Sequence, residues 1–198
     1  MPVVECDVTA ARRRLEAAGA AFEPGKSEHE EWHADLGEAH AVAYADKVVV
    51  QGKRPADITA VLAEEREGRV HAYFDGASRG NPGPAAIGWV LVDSDGIVDE
   101  GGETIGRATN NQAEYRALLR VLEMAERYGY DQVEIRGDSE LAVKQVRGAW
   151  DTNDPTLREL RVSVHEFLSG FEDWSIKHVP REVNERADDL ANEALDHA

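Results

Sequence analysis

The chain has little of what would tie it to a membrane, a disulfide scaffold or a basic nucleic-acid-binding surface. Its 198 residues include a single cysteine, Cys6, which excludes an internal disulfide framework and reads as a small apolar filler. Apolar runs such as Val48-Val49-Val50 are far too short to cross a bilayer. No basic segment followed by an apolar one opens the chain, so a cytoplasmic protein with no membrane partner is expected. Lysine is scarce too, supplying five of the 22 basic residues against 39 acids. No internal repeat or low-complexity tract is evident. A content of 42% hydrophobic and 31% charged residues belongs to a folded globular chain, long enough for one full domain and a small second one.

The acids are spread along the whole chain and give a net charge of −17. One reading is that this charge excludes nucleic acid partners. The other is a protein of concentrated salt, kept soluble by a hydrated acidic surface. At about 1 M salt the screening length falls to roughly 3 Å, and a polyanion can approach an acidic protein. The local motifs below favour the second reading.

Two regions separate near residue 68. In residues 1–68, Asp7 caps a predicted helix through Ala20, with Ala11, Leu15 and Ala18 on one face. Residues 29–36, 40–44 and 47–51 predict a three-strand meander, and Pro55 opens a second helix holding Ile58, Val61 and Leu62. Glu64-Glu65-Arg66-Glu67-Gly68 then reads as a charged helix tail and a short linker. Together they predict a small α+β module: helix, three strands, helix. Residues 69–198 begin with strands over 70–75, 86–93 and 97–105, the last two joined by a Ser94-Asp95-Gly96 hairpin turn. A helix over 112–128, a strand over 132–137, helices over 139–147 and 156–169, a strand over 174–179 and a helix over 184–195 follow. Three antiparallel strands and then helix–strand alternation imply a five-stranded mixed sheet flanked by helices, an α/β fold.

Four acids stand at or near predicted element ends: Asp75, Glu114, Asp138 and Asp188. Each has an ordinary explanation alone. Asp75 suits a turn, Glu114 the first turn of a helix, Asp138 a helix cap and Asp188 a solvated acidic face. If the strands ending at Asp75 and Asp138 are neighbours, however, the four converge on one rim of the sheet. Clustered like charges raise one another's pKa unless cations neutralise them. Two divalent ions about 3.5–4 Å apart would do so and leave room for phosphate oxygens and water. Oxygen ligands without clustered cysteine or histidine favour magnesium or manganese over zinc.

The motifs that carry these acids are linked. They are DGASRGNPGPAAIGW from Asp75, TNNQAE before the first long helix, GDSELAV after a strand, and the terminal NERADDLAN. In order and spacing they resemble type 1 ribonuclease H, in its archaeal, halophile-like form, over about two-thirds of the chain. The resemblance implies a ribonuclease H-like fold and endonucleolytic hydrolysis of the RNA strand of RNA–DNA hybrids. It makes Asp75, Glu114, Asp138 and Asp188 the catalytic, metal-binding acids for two Mg2+ or Mn2+ ions. Substrate contacts would come from Gly76, Ala77, Asn81, Asn110, Asn111 and Gln112, whose amides and backbone suit the 2′-hydroxyl that distinguishes RNA. A monomer acting on a hybrid is expected, with 5′-phosphate and 3′-hydroxyl products. Two departures stand out. Residues 148–155 form a short acidic link where many bacterial members carry a basic, tryptophan-rich protrusion. The family's mobile-loop histidine has no clear match, since His178 falls in a predicted strand. Arg181, expected in the loop after that strand, is a candidate for binding the scissile phosphate or for pairing with Glu114 and Asp188.

The segment Ala45 to Lys53 is similar to the small substrate-binding domain ahead of type 3 ribonuclease H, in which a strand ending in a QGK-like turn leads into a helix. On that resemblance Gln51, Lys53 and Arg54 would face a duplex, while Trp32 and Tyr44 either stack on sugars or serve the core. Rival functions are another nuclease on the same scaffold (a 3′-exonuclease or a resolvase) and a non-catalytic hybrid-binding protein.

Overall fold

The computed structural model describes residues 2–62 and 68–197. The predicted linker residues Glu64 to Glu67 lie outside them. The chain divides into two compact units, Met1–Glu65 and Arg66–Ala198.

In the first unit the order is β1 (Val3–Glu5), α1 (Val8–Ala17), β2 (Ala21–Pro24), β3 (Trp32–Leu36), β4 (Ala39–Ala43), β5 (Lys47–Gly52) and α2 (Ala56–Leu62). Asp7 caps α1 by accepting from the Thr9 and Ala10 amides at 2.8 and 2.9 Å. The helix stops before Ala20 because Gly19 takes φ 85°, a left-handed turn open to glycine. The predicted meander is the centre of a larger antiparallel sheet, ordered β1-β5-β4-β3-β2. Its two extra strands escape sequence patterning because they are three and four residues long and mostly exposed. Leu15 of α1 and Ile58 of α2 pack with Trp32, Ala34, Ala41, Val48 and Val50 into one core.

The second unit runs β6 (Arg69–Ser78), β7 (Gly83–Asp93), β8 (Gly96–Ala108), α3 (Asn110–Arg127), β9 (Gln132–Gly137), α4 (Glu140–Val146), α5 (Pro155–Leu168), β10 (Asp173–His178) and α6 (Arg181–Asp196). The strands form a mixed five-stranded sheet, ordered β10-β9-β6-β7-β8, as expected. β10, β9 and β6 run parallel, while β6, β7 and β8 are antiparallel. Asp93 pairs with Gly96 across the predicted hairpin turn.

Two glycines let helices press on the sheet beside Asp75. A Cβ on Gly76 would lie 2.2 Å from the Glu114 amide nitrogen of α3, and one on Gly88 would lie 2.1 Å from the Ala187 carbonyl of α6. Gly76 pairs with Ile87, the neighbour of Gly88, so α3 and α6 sit on opposite faces. Two placements differ from expectation. β6 continues three residues past Asp75, so this acid lies within a strand and pairs with Gly88. α6 begins at Arg181, not near residue 184, so Arg181 belongs to the first turn of a helix and Asp188 lies two turns into it.

Candidate active site

Parallel pairing of β6 and β9 matches Tyr73 with Arg136. Two residues on, Asp75 and the Asp138 that follows β9 emerge side by side. Glu114 arrives from the first turns of α3, whose start is set by a capping box: Thr109 accepts from the Gln112 amide at 3.2 Å, and Gln112 accepts from the Thr109 amide at 3.0 Å. Carboxylate oxygens of Asp75, Glu114 and Asp138 lie within 4.8 Å of one another. Asp75 and Glu114 are buried, at 5% and 7% exposure, so neither charge is relieved by water.

The electrostatics follow from that burial. Desolvation, then the charge and hydrogen bond of Asp138, and then Asp188 push the Asp75 carboxyl up to about 8. Glu114 is raised well above the ordinary carboxylate range by burial first and by Asp75 and Asp138 next, against a hydrogen bond from the Gly76 amide. Its Oε2 is buried with no hydrogen-bond partner among the described residues. Burial and mutual repulsion therefore both favour the protonated forms of Asp75 and Glu114.

Asp188 is near enough for its charge to raise the Asp75 and Glu114 carboxyls, but it is not within the same 4.8 Å group. Its carboxylate accepts from Arg181 at 3.0 and 2.9 Å and from Asn192 at 3.1 Å. Of the two pairings foreseen for Arg181, the structure forms the one with Asp188, and its side chain remains 71% exposed. Asn184 went unrecognised as a site residue. It is buried at 1% exposure and donates to the Phe74 carbonyl at 2.9 Å and to Asp138 at 3.1 Å. Its spacing was a usable signal, since residues 184, 188 and 192 lie four apart on one helical face. His178 ends β10 and approaches the Asp138 carbonyl oxygen at 3.1 Å through Nε2.

Among the predicted substrate contacts, Gly76 and Ala77 continue β6 beyond Asp75, and Asn110, Asn111 and Gln112 form the first turn of α3. Asn81 joins this group by accepting from the Asn110 amide at 3.2 Å. In the first unit, Trp32 is buried and stacks edge-on against Phe22 at 5.3 Å, which gives it the core role. Arg54 pairs with the buried Asp57 at 3.2 Å, whereas Gln51 and Lys53 are exposed.

A mixed sheet with helices on both faces and acids gathered at its centre defines the class of ribonuclease H-like folds. A family model described as reverse transcriptase-like matches residues 73–194. Ribonuclease HI of Halobacterium salinarum is 70% identical over all of this chain and all of its own length. The crystal structure of RNase H1 from that halophilic archaeon is 72% identical, covering 66% of this chain and 100% of that one with a TM-score of 0.65. LC11-RNase H1, solved in complex with RNA/DNA hybrid, is 41% identical over 65% of this chain and 97% of its own, with a TM-score of 0.61. The chain belongs to the ribonuclease HI family.

The donor set fits divalent cations. All the gathered ligand atoms are carboxylate oxygens, and Glu114 also keeps a buried Oε2 without a hydrogen-bond partner among the described residues. That chemistry suits hard cations such as magnesium and manganese.

Proposed function

We propose that this chain is a divalent-metal-dependent endonuclease that hydrolyses the RNA strand of RNA–DNA hybrids to 5′-phosphate and 3′-hydroxyl ends. The observation that carries the reading is the convergence of Asp75, Glu114 and Asp138, two of them buried and one, Glu114, with an oxygen that has no partner among the described residues. Two Mg2+ or Mn2+ ions held by these acids and Asp188 would supply Lewis-acid activation of water and neutralise charge at the phosphate. The protein's own part is positioning. Asn184 ties Asp138 to the Phe74 carbonyl of β6, and Arg181 and Asn192 fix Asp188. The exposed guanidinium of Arg181 is available to a phosphate oxygen as well. The amides of Asn81, Asn110 and Asn111 and the backbone at Gly76, Ala77 and Gln112 would read 2′-hydroxyls beside the cluster. All these groups come from one chain, so a monomer suffices.

The hybrid complex of LC11-RNase H1 supports an RNA–DNA hybrid as the substrate. The halophilic source of the H. salinarum relative and the charge of −17 support work in concentrated salt. For residues 1–68 we propose an accessory contact with the duplex through Gln51 and Lys53. The deciding assay measures magnesium-dependent cleavage, in molar salt, of an end-blocked labelled hybrid, single-stranded RNA and duplex DNA. Internal cuts confined to the RNA of the hybrid are expected. An exonuclease would leave the end-blocked substrate whole, and a pure binding protein would cut none of the three.

A further inference from the structure

We propose a second metal site, for a borderline transition metal of the Zn2+ class, in the first unit: His33 Nδ1 and His40 Nε2 are its protein ligands. The site shares no residue with the carboxylate cluster. On the β3–β4 hairpin, Asp35 pairs with His40, and His33 sits two residues before Asp35 on the same strand face. That face is opposite to the one on which Ala34 and Ala41 meet the helices.

The four side chains form an ordered row. His33 Nε2 lies 3.0 Å from Glu30 Oε2, and His40 Nδ1 lies 2.7 Å from Asp35 Oδ1. Each carboxylate draws the ring proton to the outer nitrogen, which leaves the inner nitrogen with a lone pair. The inner nitrogens, His33 Nδ1 and His40 Nε2, face each other at 3.1 Å. Two acceptors that close require something positive between them, and a proton or a metal ion can serve. A tetrahedral ion with Zn–N bonds of about 2.0–2.1 Å holds two nitrogens roughly 3.3 Å apart. Little adjustment therefore separates the present pair, tilted 47° between ring planes, from a chelating one.

The outer shell is in place as well. A ligating histidine usually donates its other N–H to a carboxylate, which fixes the tautomer and raises ligand basicity, and both rings have that partner here. Access also fits: His33 is only 8% exposed, but the His40 side chain is 34% exposed, so an ion enters from solvent and water completes its coordination. Imidazole donors select zinc, nickel, cobalt or copper, whereas magnesium and manganese prefer oxygen. The two sites of the chain therefore draw on different metals. A bridge between β3 and β4 would also stiffen a unit small enough to profit from one.

The test titrates the full chain with Zn2+ by calorimetry and with Co2+ by absorption, both under saturating Mg2+ to keep the carboxylate cluster filled. One equivalent binding tighter than about 100 µM is expected, with zinc-induced NMR shifts confined to the His33 and His40 imidazoles. His40→Gln should lose that equivalent with hybrid cleavage unchanged, and Asp35→Asn should weaken it about tenfold. His165→Gln, on α5, should bind as the parent does. No equivalent in the parent chain, an undiminished one in His40→Gln, or full affinity in Asp35→Asn would each overturn the proposal.

Discussion

Each unit builds a five-stranded sheet, but one is antiparallel throughout and the other has parallel strands at its centre. In the first unit every strand reverses on its neighbour, so successive strands end at opposite edges. In the second, β6 and β9 run the same way and bring Asp75 and Asp138 side by side at the centre of the sheet. Glu114 and Asp188 then come from helices pressed on the two faces. Parallel pairing of β6 with β9 thus gathers carboxylates from separate stretches of the chain. The result is a pocket of like charges in which Arg181 pairs directly with Asp188, while burial and repulsion push the Asp75 and Glu114 carboxyls upward.

The sharpest way to break this contrast is to remove one charge from the cluster. Asp75→Asn should lower kcat on the hybrid at least about 1000-fold, about 4 kcal/mol of transition-state stabilisation, with the circular dichroism spectrum unchanged. Near-normal turnover would remove Asp75 from the mechanism. Asn184→Leu should act one step back. It leaves the Phe74 carbonyl and an Asp138 oxygen without their donor, costing about 1–3 kcal/mol of stability, and it should lower kcat about 10–100-fold through misplacement of Asp138. A milder effect is expected from the other unit. Deleting residues 1–65 should leave kcat intact and raise KM for the hybrid about tenfold. An unchanged KM would remove duplex binding from that unit.

These expectations also show which features the sequence carried. Elements of the second unit were legible because they are long and strongly periodic: β7 spans 11 residues and α3 spans 18. The acids were legible because each is tied to glycine, asparagine or helix-start residues at fixed spacing. Less legible was whatever depends on pairing across the chain. β1 and β2 have too few residues for alternation to show, and they exist because β5 and β3 offer them open edges. The sequence pattern sets the start of α6 three residues late because Pro180 caps it without a side-chain hydrogen bond, so no Ser, Thr or Asp marks the boundary. That shift hid the geometry of Arg181, which reaches Asp188 along one helix rather than from a loop. Asn184 was missed because its significance lies in a hydrogen bond to a residue 46 positions away.

A last comparison tests the same contrast within the second sheet, through two acids with opposite pKa shifts. Glu134 of β9 is surrounded by Arg136 at 2.6 Å and Lys177 at 3.1 Å, and Arg136 first, with Lys177, holds its carboxyl down to about 2. A depressed pKa contributes stability above the unfolded value near 4.5 and loses it as pH falls toward 2. Asp75 has the opposite sign: its contribution is present below the unfolded value near 3.8 and is lost as pH rises through about 8. At pH 8 in EDTA and molar salt, Glu134→Gln should therefore destabilise the chain by about 1 kcal/mol or less, since its partners are partly exposed. Asp75→Asn should stabilise it by about 1.4 kcal/mol for each pKa unit by which burial and then repulsion raise the Asp75 carboxyl. Added Mg2+ should reverse the order for Asp75 alone, because the parent cluster gains binding energy that the variant forgoes. Urea denaturation of the three proteins with and without Mg2+ reads both signs. If the Asp75 variant were less stable than its parent in EDTA, the carboxylates would not be in conflict, and the case for a cation-dependent pocket would fail at its electrostatic root.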